Sequence, residues 1–531
     1  MRSKKNLTLI EKIPIKYLCF FLLLASSIIY MSNIREVMDI SFYDEAQQLK
    51  DGLSMRSKTL PPADRSPIYS LWYAFLSFFI SSPVDIYYFN WYFLTVGVPV
   101  VMYITLTRIQ LDPLFSFLIS MVFLYSRFNY PLWPKTNNFG ILLILIIVLL
   151  LSKYKKNSMN EKRDLYLFLF YIGSYLRPEF LISCIIYFLF NLFKFKLKFT
   201  ITRCIYISII GLFLFLFGIP FTSRLSGAFG QHFAVNYIDK NGIPIVAWDS
   251  YRTIIDEVFG KDKNNIIEYF FSNPKAFLDH LFFNIKRVPV SFLSYFKPYN
   301  ESGYNIIVVL TGLFLMLLIV VYYHKGNLFK RIFNLPKIRN ALKKNTNQVL
   351  VSLIAPFVIT TSLIFPRGHY FLYIFIGLTI IFVYNLKDLI NPPFYKMNKY
   401  FKIGFLLLIF SITHVNTQEK NDLYGLEIVN FITEYKSFYN LDTINIFSGD
   451  GNYCVYVTDI CELNPNLGDS EDYTDYIEKN EIHIVILSKR LLISYGVLNQ
   501  KGSESLAQDL EKLNYLKKKS IWDTDIYVKD Y

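Results

Sequence analysis

Twelve stretches of the chain contain no charged residue and are rich in apolar side chains. They are Tyr17–Ile34, Ser66–Val84, Ile86–Thr107, Pro113–Ser126, Thr136–Ser152, Leu165–Leu176, Phe180–Phe193, Cys204–Ser223, Ser302–Tyr323, Asn345–Pro366, Gly368–Leu386 and Ile403–Gln418. A helix needs about 20 apolar residues to cross a bilayer. Charged types make up only 18% of the residues, below the roughly 25% of globular proteins. The sequence therefore predicts a polytopic α-helical membrane protein.

The basic residues between the stretches indicate how the chain is threaded. Five clusters hold 25 Lys and Arg, and such residues mark cytoplasmic loops. The clusters are Arg2–Lys16, Lys153–Arg163, Lys194–Arg203, Lys325–Lys344 and Lys387–Lys402. Eleven spans place all five clusters on the cytoplasmic side, whereas twelve spans do not. We therefore predict about 11 transmembrane helices and a cytoplasmic N-terminus. Ser66–Val84, with prolines near both ends, is predicted to be a juxtamembrane or re-entrant helix on the outer face.

This threading predicts two domains. Residues 1–414 form the transmembrane domain, with a first outer loop at 35–84 and a second outer region at 224–301. Residues 415–531 form a soluble extracytoplasmic domain, and they carry 11 basic and 20 acidic residues. The positive net charge of the whole chain, +14, therefore reflects cytoplasmic loops and does not indicate a nucleic-acid partner.

The tail alternates helix-like and strand-like patterns, which predicts a small α/β domain with a doubly wound sheet. Helices are predicted at Leu426–Tyr435, Tyr473–Glu478 and Leu506–Leu513, and strands at Thr443–Phe447, Cys454–Thr458, Ile482–Leu487 and Ile526–Lys529. We find no Gly-rich phosphate loop and assign no nucleotide. Cys454 and Cys461 are a disulfide candidate in an oxidising compartment, and two unlinked thiols are the alternative.

The first outer loop contains the most informative polar residues. Asp44 and Glu45 open a short helix soon after the first span, and Gln48 shares a helical face with Asp44. A carboxylate at the membrane surface is placed to accept a proton from an alcohol. The alternative is an ordinary first helical turn, where the helix dipole favours acidic residues.

After this helix comes the segment Ala63–Trp72, which reads Ala-Asp-Arg-Ser-Pro-Ile-Tyr-Ser-Leu-Trp, and then the apolar stretch that does not cross. This order resembles the GT-C superfamily of membrane glycosyltransferases. The resemblance is to its bacterial branch that uses polyprenyl-phosphate sugars, related to aminoarabinose transferase and the protein mannosyltransferases. The layout is similar over the whole chain, whereas the motifs are similar only over roughly Tyr43–Trp72.

The resemblance implies an enzyme, a hexosyl- or pentosyltransferase of cell-envelope glycans in the bacterial inner membrane. It would move a sugar from a polyprenyl-phosphate donor to a hydroxyl of a glycan, lipid or protein acceptor at the outer face, inverting the anomeric centre. Asp44 would be the general base, and Glu45 would orient Asp44 or the acceptor. Cations would stabilise the leaving lipid phosphate, so no acid is needed.

The resemblance also implies roles for residues near the outer ends of spans. The candidate ligands of the donor phosphate are Arg65, Lys135, Arg177, Arg367 and His369, and the candidates for orienting the substrate are Gln48, Tyr69, Asn137, Asn138 and Tyr370. For the cationic candidates, the alternative is an interfacial side chain that snorkels to water.

One position departs from the family pattern. Many relatives carry a second Asp where this chain has Asn137 or Asn138. An amide orients a sugar hydroxyl but neither acts as a base nor carries a charge, so a second carboxylate and a divalent metal are unsupported. The six His residues show no metal-binding spacing, and we predict no cofactor.

The same sequence features admit other functions. A lipid-linked polysaccharide polymerase or ligase has a similar number of spans, but it lacks the Asp-Glu loop and the soluble tail. A transporter or flippase would show charges within spans and related halves, neither of which we find. A purely structural membrane protein is a further alternative. The region 224–301 is either an acceptor-binding lid or a packed structural cap.

Overall fold

The computed structural model of the chain describes most of its residues. The described ranges are 14–55, 59–129, 136–153, 159–192, 200–220, 224–243, 247–261, 263, 265–296, 303–323, 345–413, 423–448, 452–457, 460–463, 473–488, 503–521 and 524–530. Most of these residues are helical, and a small sheet lies near the C-terminus.

The elements follow one another in a long helical series and then in an α/β series. The helices before the sheet are α1 (Ile15–Met31), α2 (Ile34–Val37), α3 (Asp44–Ser54), α4 (Pro67–Leu76), α5 (Pro83–Arg108), α6 (Pro113–Tyr125), α7 (Thr136–Lys153), α8 (Met159–Gly173), α9 (Glu179–Asn191), α10 (Ile201–Phe217), α11 (Arg224–Asn241), α12 (Ala247–Phe259), α13 (Ile266–Ser272), α14 (Pro274–Ser294), α15 (Gly303–Tyr323), α16 (Asn345–Leu363), α17 (Gly368–Lys396), α18 (Lys399–Thr413) and α19 (Tyr424–Phe438). They are followed by β1 (Thr443–Ser448), α20 (Tyr453–Tyr456), β2 (Ile460–Leu463), α21 (Tyr473–Lys479), β3 (Ile484–Leu487), α22 (Ser503–Lys512), β4 (Tyr515–Ile521) and β5 (Thr524–Lys529).

Three helical segments among the described residues are long and apolar enough to cross a membrane: Ile15–Val37, Pro83–Arg108 and Gly368–Lys387. Six further apolar helices have 10–17 residues each: Pro113–Tyr125, Thr136–Leu150, Glu179–Asn191, Ile201–Phe217, Ile306–Val321 and Asn347–Leu363. These helices indicate a membrane protein, as the sequence predicts. The number of spans and their direction stay predictions.

Packing divides the chain into two units. The first, here called the helical unit, comprises Met1–Asn33, Pro61–Ile68 and Tyr92–Glu419; the second, the tail unit, comprises Ile34–Leu60, Tyr69–Trp91 and Lys420–Tyr531. The acidic helix α3 thus belongs to the same unit as the C-terminal sheet. The predicted domain boundary at residue 414 lies outside the described residues and stays a prediction.

In the helical unit, α6 is buried on all sides. Every residue from Leu114 to Tyr125 is buried, which is expected of a helix that is apolar on all sides and enclosed by others. By contrast, Phe217 is the buried residue of α10, and Phe215 on that helix is 85% exposed. In a membrane protein, such an apolar exposed face is suited to lipid.

The described residues of the segment predicted as an outer region form four helices, α11 to α14. Their shared core is aromatic, with Phe229, Phe233, Phe259, Tyr269 and Phe277 packed together. Polar side chains of α14 also contact the carboxyl end of α16, where backbone carbonyls lack hydrogen-bond partners within the helix. The ring Nε2 of His280 lies 3.2 Å and 3.1 Å from the oxygens of Leu363 and Ile364, and Asn284 Nδ2 donates to the oxygens of Ser362 and Ile364. The lid role stays a prediction.

The sheet of the tail unit has the strand order β2-β1-β3-β5-β4. Strand β1 pairs in parallel with β2 and β3, whereas β5 pairs antiparallel with β3 and β4. Helices α21 and α22 cover one face through a core that includes Phe447, Tyr473, Ile477, Val485 and Leu510. The predicted α/β character of the tail is confirmed, but the sheet is mixed.

Three details of the tail differ from the prediction. The predicted strand at Cys454–Thr458 is wrong, because Tyr453–Tyr456 form a short helix after Asn452 adopts a left-handed backbone with φ of 73°. The alternation of apolar residues there reflects burial of Tyr453, Val455 and Tyr456, not strand pairing. The strands β2 and β4 were not predicted. The exposed middle of β4 contains three consecutive lysines, as edge strands often do.

Candidate functional site

The acidic pair lies in the first turn of α3, where the helix dipole favours negative charge. Successive residues of a helix point about 100° apart. Asp44 is therefore exposed, whereas Glu45 is buried, with 2% of its surface accessible. The two neighbouring carboxylates thus have different surroundings, which is a common way of separating the roles of two acids.

Glu45 is held by hydroxyl groups from the next helix. Tyr69 OH donates to Glu45 Oε1 at 2.5 Å, and Tyr73 OH donates to the same oxygen. The two tyrosines lie four residues apart on α4, so both face the carboxylate. Burial first, and then the Glu45 charge, raises the pKa of both phenols well above its ordinary value, so both keep their protons and act as donors.

A second layer fixes these tyrosines. Asn90 Nδ2 lies 2.7 Å from each of the Tyr69 and Tyr73 hydroxyl oxygens and 3.4 Å from Glu45 Oε1. Asn90 Oδ1 in turn accepts a hydrogen bond of 2.8 Å from Trp72 Nε1. The network extends from α3 through α4 to α5, and all its members lie in the tail unit. A buried polar network that is satisfied in this way fixes one arrangement of its helices.

Close approach of α3 and α4 depends on Gly52. A Cβ atom added to Gly52 would lie 2.6 Å from Tyr73 Cβ and 2.7 Å from the Ser70 oxygen. Next to it, Ser70 Oγ donates to Gln48 Oε1 at 2.9 Å, and Gln48 is buried. Gln48 and Tyr69, both predicted to orient substrate, therefore have polar groups engaged within the protein.

The helical unit contains a separate group of cationic and aromatic side chains, here called the arginine cluster: Arg127, Arg177, Arg367, His369 and Tyr370. Arg177 forms a two-pronged ion pair with Glu179, at 3.1 Å and 2.7 Å, and lies over the Tyr370 ring at 5.6 Å. Burial alone would lower the pKa of Arg177, but the Glu179 carboxylate and the hydroxyls of Tyr370 and Tyr373 together outweigh burial and raise the pKa, so the guanidinium stays charged.

Arg367 precedes α17 and shares Tyr370 with Arg177, because the charges of both arginines act on that hydroxyl. The His369 ring contacts the Tyr370 ring with a centroid distance of 4.2 Å. Arg127 was not among the predicted site residues. Its charge and that of Arg367 both act on Tyr295, whose carbonyl accepts from the Arg127 backbone at 3.2 Å. The signal for Arg127 was its position directly after a charge-free stretch.

Asn137 and Asn138 are buried at the start of α7. Asn137 Oδ1 and the Tyr373 hydroxyl are buried without a hydrogen-bond partner among the residues that the structure describes. The Tyr373 hydroxyl lies against Gly140, one turn after Asn137, where a Cβ would be only 2.1 Å away. This part of the helical unit therefore contains two buried polar groups, one on α7 and one on α17.

The remaining predicted cations lie elsewhere. Arg65 is exposed at the end of a short 3-10 helix, Ala63–Arg65, just before Ser66 adopts a left-handed backbone. Lys135 lies outside the described residues. The tail cysteines Cys454 and Cys461 are linked by a disulfide.

Within the described ranges, no group of three His, Cys, Asp or Glu side chains is arranged to hold a metal ion. The chain therefore offers an exposed carboxylate on a fixed helix and, in the other unit, a cluster of arginines with aromatic neighbours. Neither a protein-family model nor a curated protein matches this chain.

Proposed function

We propose that this chain is a GT-C-like glycosyltransferase that uses a polyprenyl-phosphate sugar and transfers it to an acceptor hydroxyl with inversion. The single observation that supports the proposal most is the contrast between buried Glu45 and exposed Asp44 on one short helix. A base must reach its substrate and must also be held in position. Tyr69 and Tyr73 hold Glu45, and Glu45 in turn holds the neighbouring Asp44 in position.

The proposed step is a single displacement. The acceptor oxygen attacks the anomeric carbon, the bond from that carbon to the phosphate oxygen breaks, and the acceptor proton passes to Asp44. The polyprenyl phosphate leaves with the electron pair of the broken bond. Attack opposite to the leaving group gives the inverted product. Asp44 accepts the proton as a carboxylate in the first turn of α3.

The lipid phosphate gains negative charge as it leaves, and guanidinium groups are the usual partners of phosphate. We propose that Arg177 and Arg367 bind the leaving phosphate. Arg65, Lys135 and His369 are proposed as further ligands of the phosphate of the sugar donor. Asn137, Asn138 and Tyr370 remain the proposed sugar-orienting residues of the helical unit. The Asn137 oxygen supports this role, because it is buried without a hydrogen-bond partner among the described residues and a buried amide oxygen gains from a hydroxyl donor.

The proposal includes a location. We place the enzyme in the bacterial inner membrane, with a cytoplasmic N-terminus and an extracytoplasmic tail. The basic clusters between apolar stretches and the acidic tail support this direction, and the disulfide supports an oxidising compartment for the tail.

The experiment that tests the function compares donor classes. Purified protein in detergent is given radiolabelled sugars on polyprenyl phosphate, on polyprenyl diphosphate or on a nucleotide, with a membrane lipid extract as acceptor. We expect release of lipid phosphate from the first class only and a product with inverted configuration. Turnover of the diphosphate donors alone would support a polymerase or ligase in its place, and a retained configuration would exclude the single displacement.

A further inference from the structure

The segment Met38–Phe42 connects α2 to the acidic helix and has no regular secondary structure. Its backbone carbonyls therefore depend on side chains for hydrogen bonds. Two of these donors come from the C-terminal tail, although they are more than 400 positions away. Tyr456 OH donates to the Ser41 oxygen at 2.6 Å, and Asn452 Nδ2 donates to the Phe42 oxygen at 2.9 Å.

The same segment is also bound by α5. Tyr88 OH donates to the Met38 oxygen at 2.9 Å, and Tyr87 OH lies 3.4 Å from the Asp39 oxygen. Four of the five carbonyls of the segment thus receive side-chain donors, two from α5 and two from the tail. An irregular backbone held at so many points has one defined course into α3.

The contacts also run from the segment to the tail. Asp39 accepts hydrogen bonds from the backbone N–H groups of Gly425 at 2.6 Å and Leu426 at 2.9 Å, in the first turn of α19. The N-cap residue of α19, Leu423, has no capping side chain of its own. Asp39 therefore satisfies N–H groups that the helix leaves open.

Apolar packing accompanies the hydrogen bonds. The Phe42 ring lies 4.3 Å from the Tyr453 ring and 6.0 Å from the Tyr456 ring. A Cβ added to Gly425 would lie 2.7 Å from Cε2 of the Phe42 ring. The glycine thus permits the helix α19 to approach the ring, and Phe42 is enclosed by the tail.

The side-chain donors and the aromatic rings that the tail contributes to this contact lie on one short element, Asn452–Tyr456, which includes α20. A helix of four residues has little stability of its own. The disulfide between Cys454, in the middle of the element, and Cys461 on β2 ties it to the sheet. The disulfide thereby restrains the element that holds the Ser41 and Phe42 carbonyls.

We propose that the C-terminal tail positions the catalytic turn: Tyr456 and Asn452, restrained by the Cys454–Cys461 disulfide, fix the backbone from which Asp44 projects. They are positioning residues, since they act through the backbone and not on the substrate. The catalytic consequence rests on the proposed function, whereas the positioning itself does not. Asp44 follows Phe42 by two residues, and misplacement of a reacting group by about 1 Å costs about a hundredfold in rate.

The test uses a variant that removes both tail donors and keeps the shape of the element. Tyr456→Phe retains the buried ring, and Asn452→Gly retains a residue suited to the left-handed backbone. The matched control is Tyr435→Phe, which removes one tyrosine hydroxyl from the Lys529 carbonyl in the same unit. Amide hydrogen exchange of the full chain in detergent is followed over residues 38–52, together with kcat and KM for polyprenyl-phosphate sugar.

We expect the double variant to exchange amides in this region at least tenfold faster than wild type and the control. A Cys454→Ser, Cys461→Ser variant should show the same change. The value of kcat should fall about tenfold or more, with KM close to that of wild type. Wild-type exchange in the double variant would overturn the positioning, and wild-type exchange in the serine variant would overturn the role of the disulfide.

The two proposals fail in different ways. Absence of donor turnover by wild-type protein would count against the proposed function, while the exchange experiment would still decide the positioning. Faster exchange with unchanged kcat would overturn the proposal that the tail positions a catalytic residue.

Discussion

At the scale of single residues, the acidic pair at the start of α3 divides into an exposed and a buried carboxylate. Glu45 has its Oε1 atom bonded by Tyr69 and Tyr73, and Asn90 joins the three groups. Hydrogen bonds to a charged group contribute more than neutral ones, and a buried donor that loses its acceptor is costly. Glu45 is therefore expected to matter for stability.

The first prediction concerns this carboxylate. Glu45→Gln should lower the free energy of unfolding by about 1–3 kcal/mol, because two buried hydroxyl donors lose a charged acceptor. The exposed Glu36, on α2, provides the control, and Glu36→Gln should change stability by no more than about 0.5 kcal/mol. Thermal unfolding of the purified variants in one detergent measures the difference. Equal midpoints for both variants would contradict the importance of the network.

At the scale of elements, the geometry of α3 against α4 is set by the absence of a side chain at Gly52. We expect Gly52→Ala to destabilise the protein by about 1–3 kcal/mol, because the new Cβ meets backbone and Cβ atoms within 2.7 Å. Gly97, also within a helix, has nothing within 4 Å of its would-be Cβ. Gly97→Ala should therefore be neutral or stabilising, by up to about 1 kcal/mol. A loss of stability of the same size in both would exclude the steric explanation.

The cap that α14 provides to α16 depends on pH. Burial lowers the pKa of His280 to about 4, although the carbonyls of Leu363 and Ile364, which lie within hydrogen-bond distance of its ring, act in the opposite direction. The unfolded chain, with an ordinary histidine pKa of about 6.5, binds more protons between these values. Stability is therefore full above pH 6.5 and is lost as the pH falls towards 4. His232, whose pKa is lowered to about 3 by burial and by Arg367, acts in the same direction.

The lowered pKa of His280 predicts how the stability of the wild-type protein changes with pH. Between pH 6.5 and 4.5, wild-type protein should lose stability by up to about 1.4 kcal/mol per pH unit for each such histidine. His280→Gln keeps a side-chain N–H donor and does not titrate, so its pH dependence should be shallower. Thermal midpoints across this range measure the slopes. Identical slopes for the two proteins would show that His280 does not carry the effect.

Several of these elements were predictable from the sequence, and others were not. The apolar runs and the break at Pro67 and Pro83 predicted helices and a short α4, because apolar length and proline act locally. The roles of Asp39, Asn90 and Tyr456 were not predicted. Each of them acts on residues tens to hundreds of positions away, and no periodicity marks a polar residue whose partner is distant. For the acidic pair, the sequence indicated the helix start but not which carboxylate is buried.

At the scale of the whole molecule, the proposed direction of the chain makes a prediction about labelling. Lys518 lies on exposed β4, and Arg108 is exposed at the end of α5. In a Cys204→Ser background, Lys518→Cys should react with a membrane-impermeant maleimide in intact spheroplasts. Arg108→Cys should react only after the membrane is permeabilised. The reverse pattern would contradict the proposed location of the tail.

The central claim is that Asp44 takes the proton of the acceptor. The most direct measurement is the rate of lipid-phosphate release from polyprenyl-phosphate sugar by Asp44→Asn, beside wild type and Glu36→Gln. Asparagine keeps the size of the side chain and its place in the first turn of α3, but it cannot accept the proton. We predict a loss of about a hundredfold or more with donor binding retained, the magnitude typical of a general base. Equal rates in all three proteins would exclude Asp44 from the chemistry.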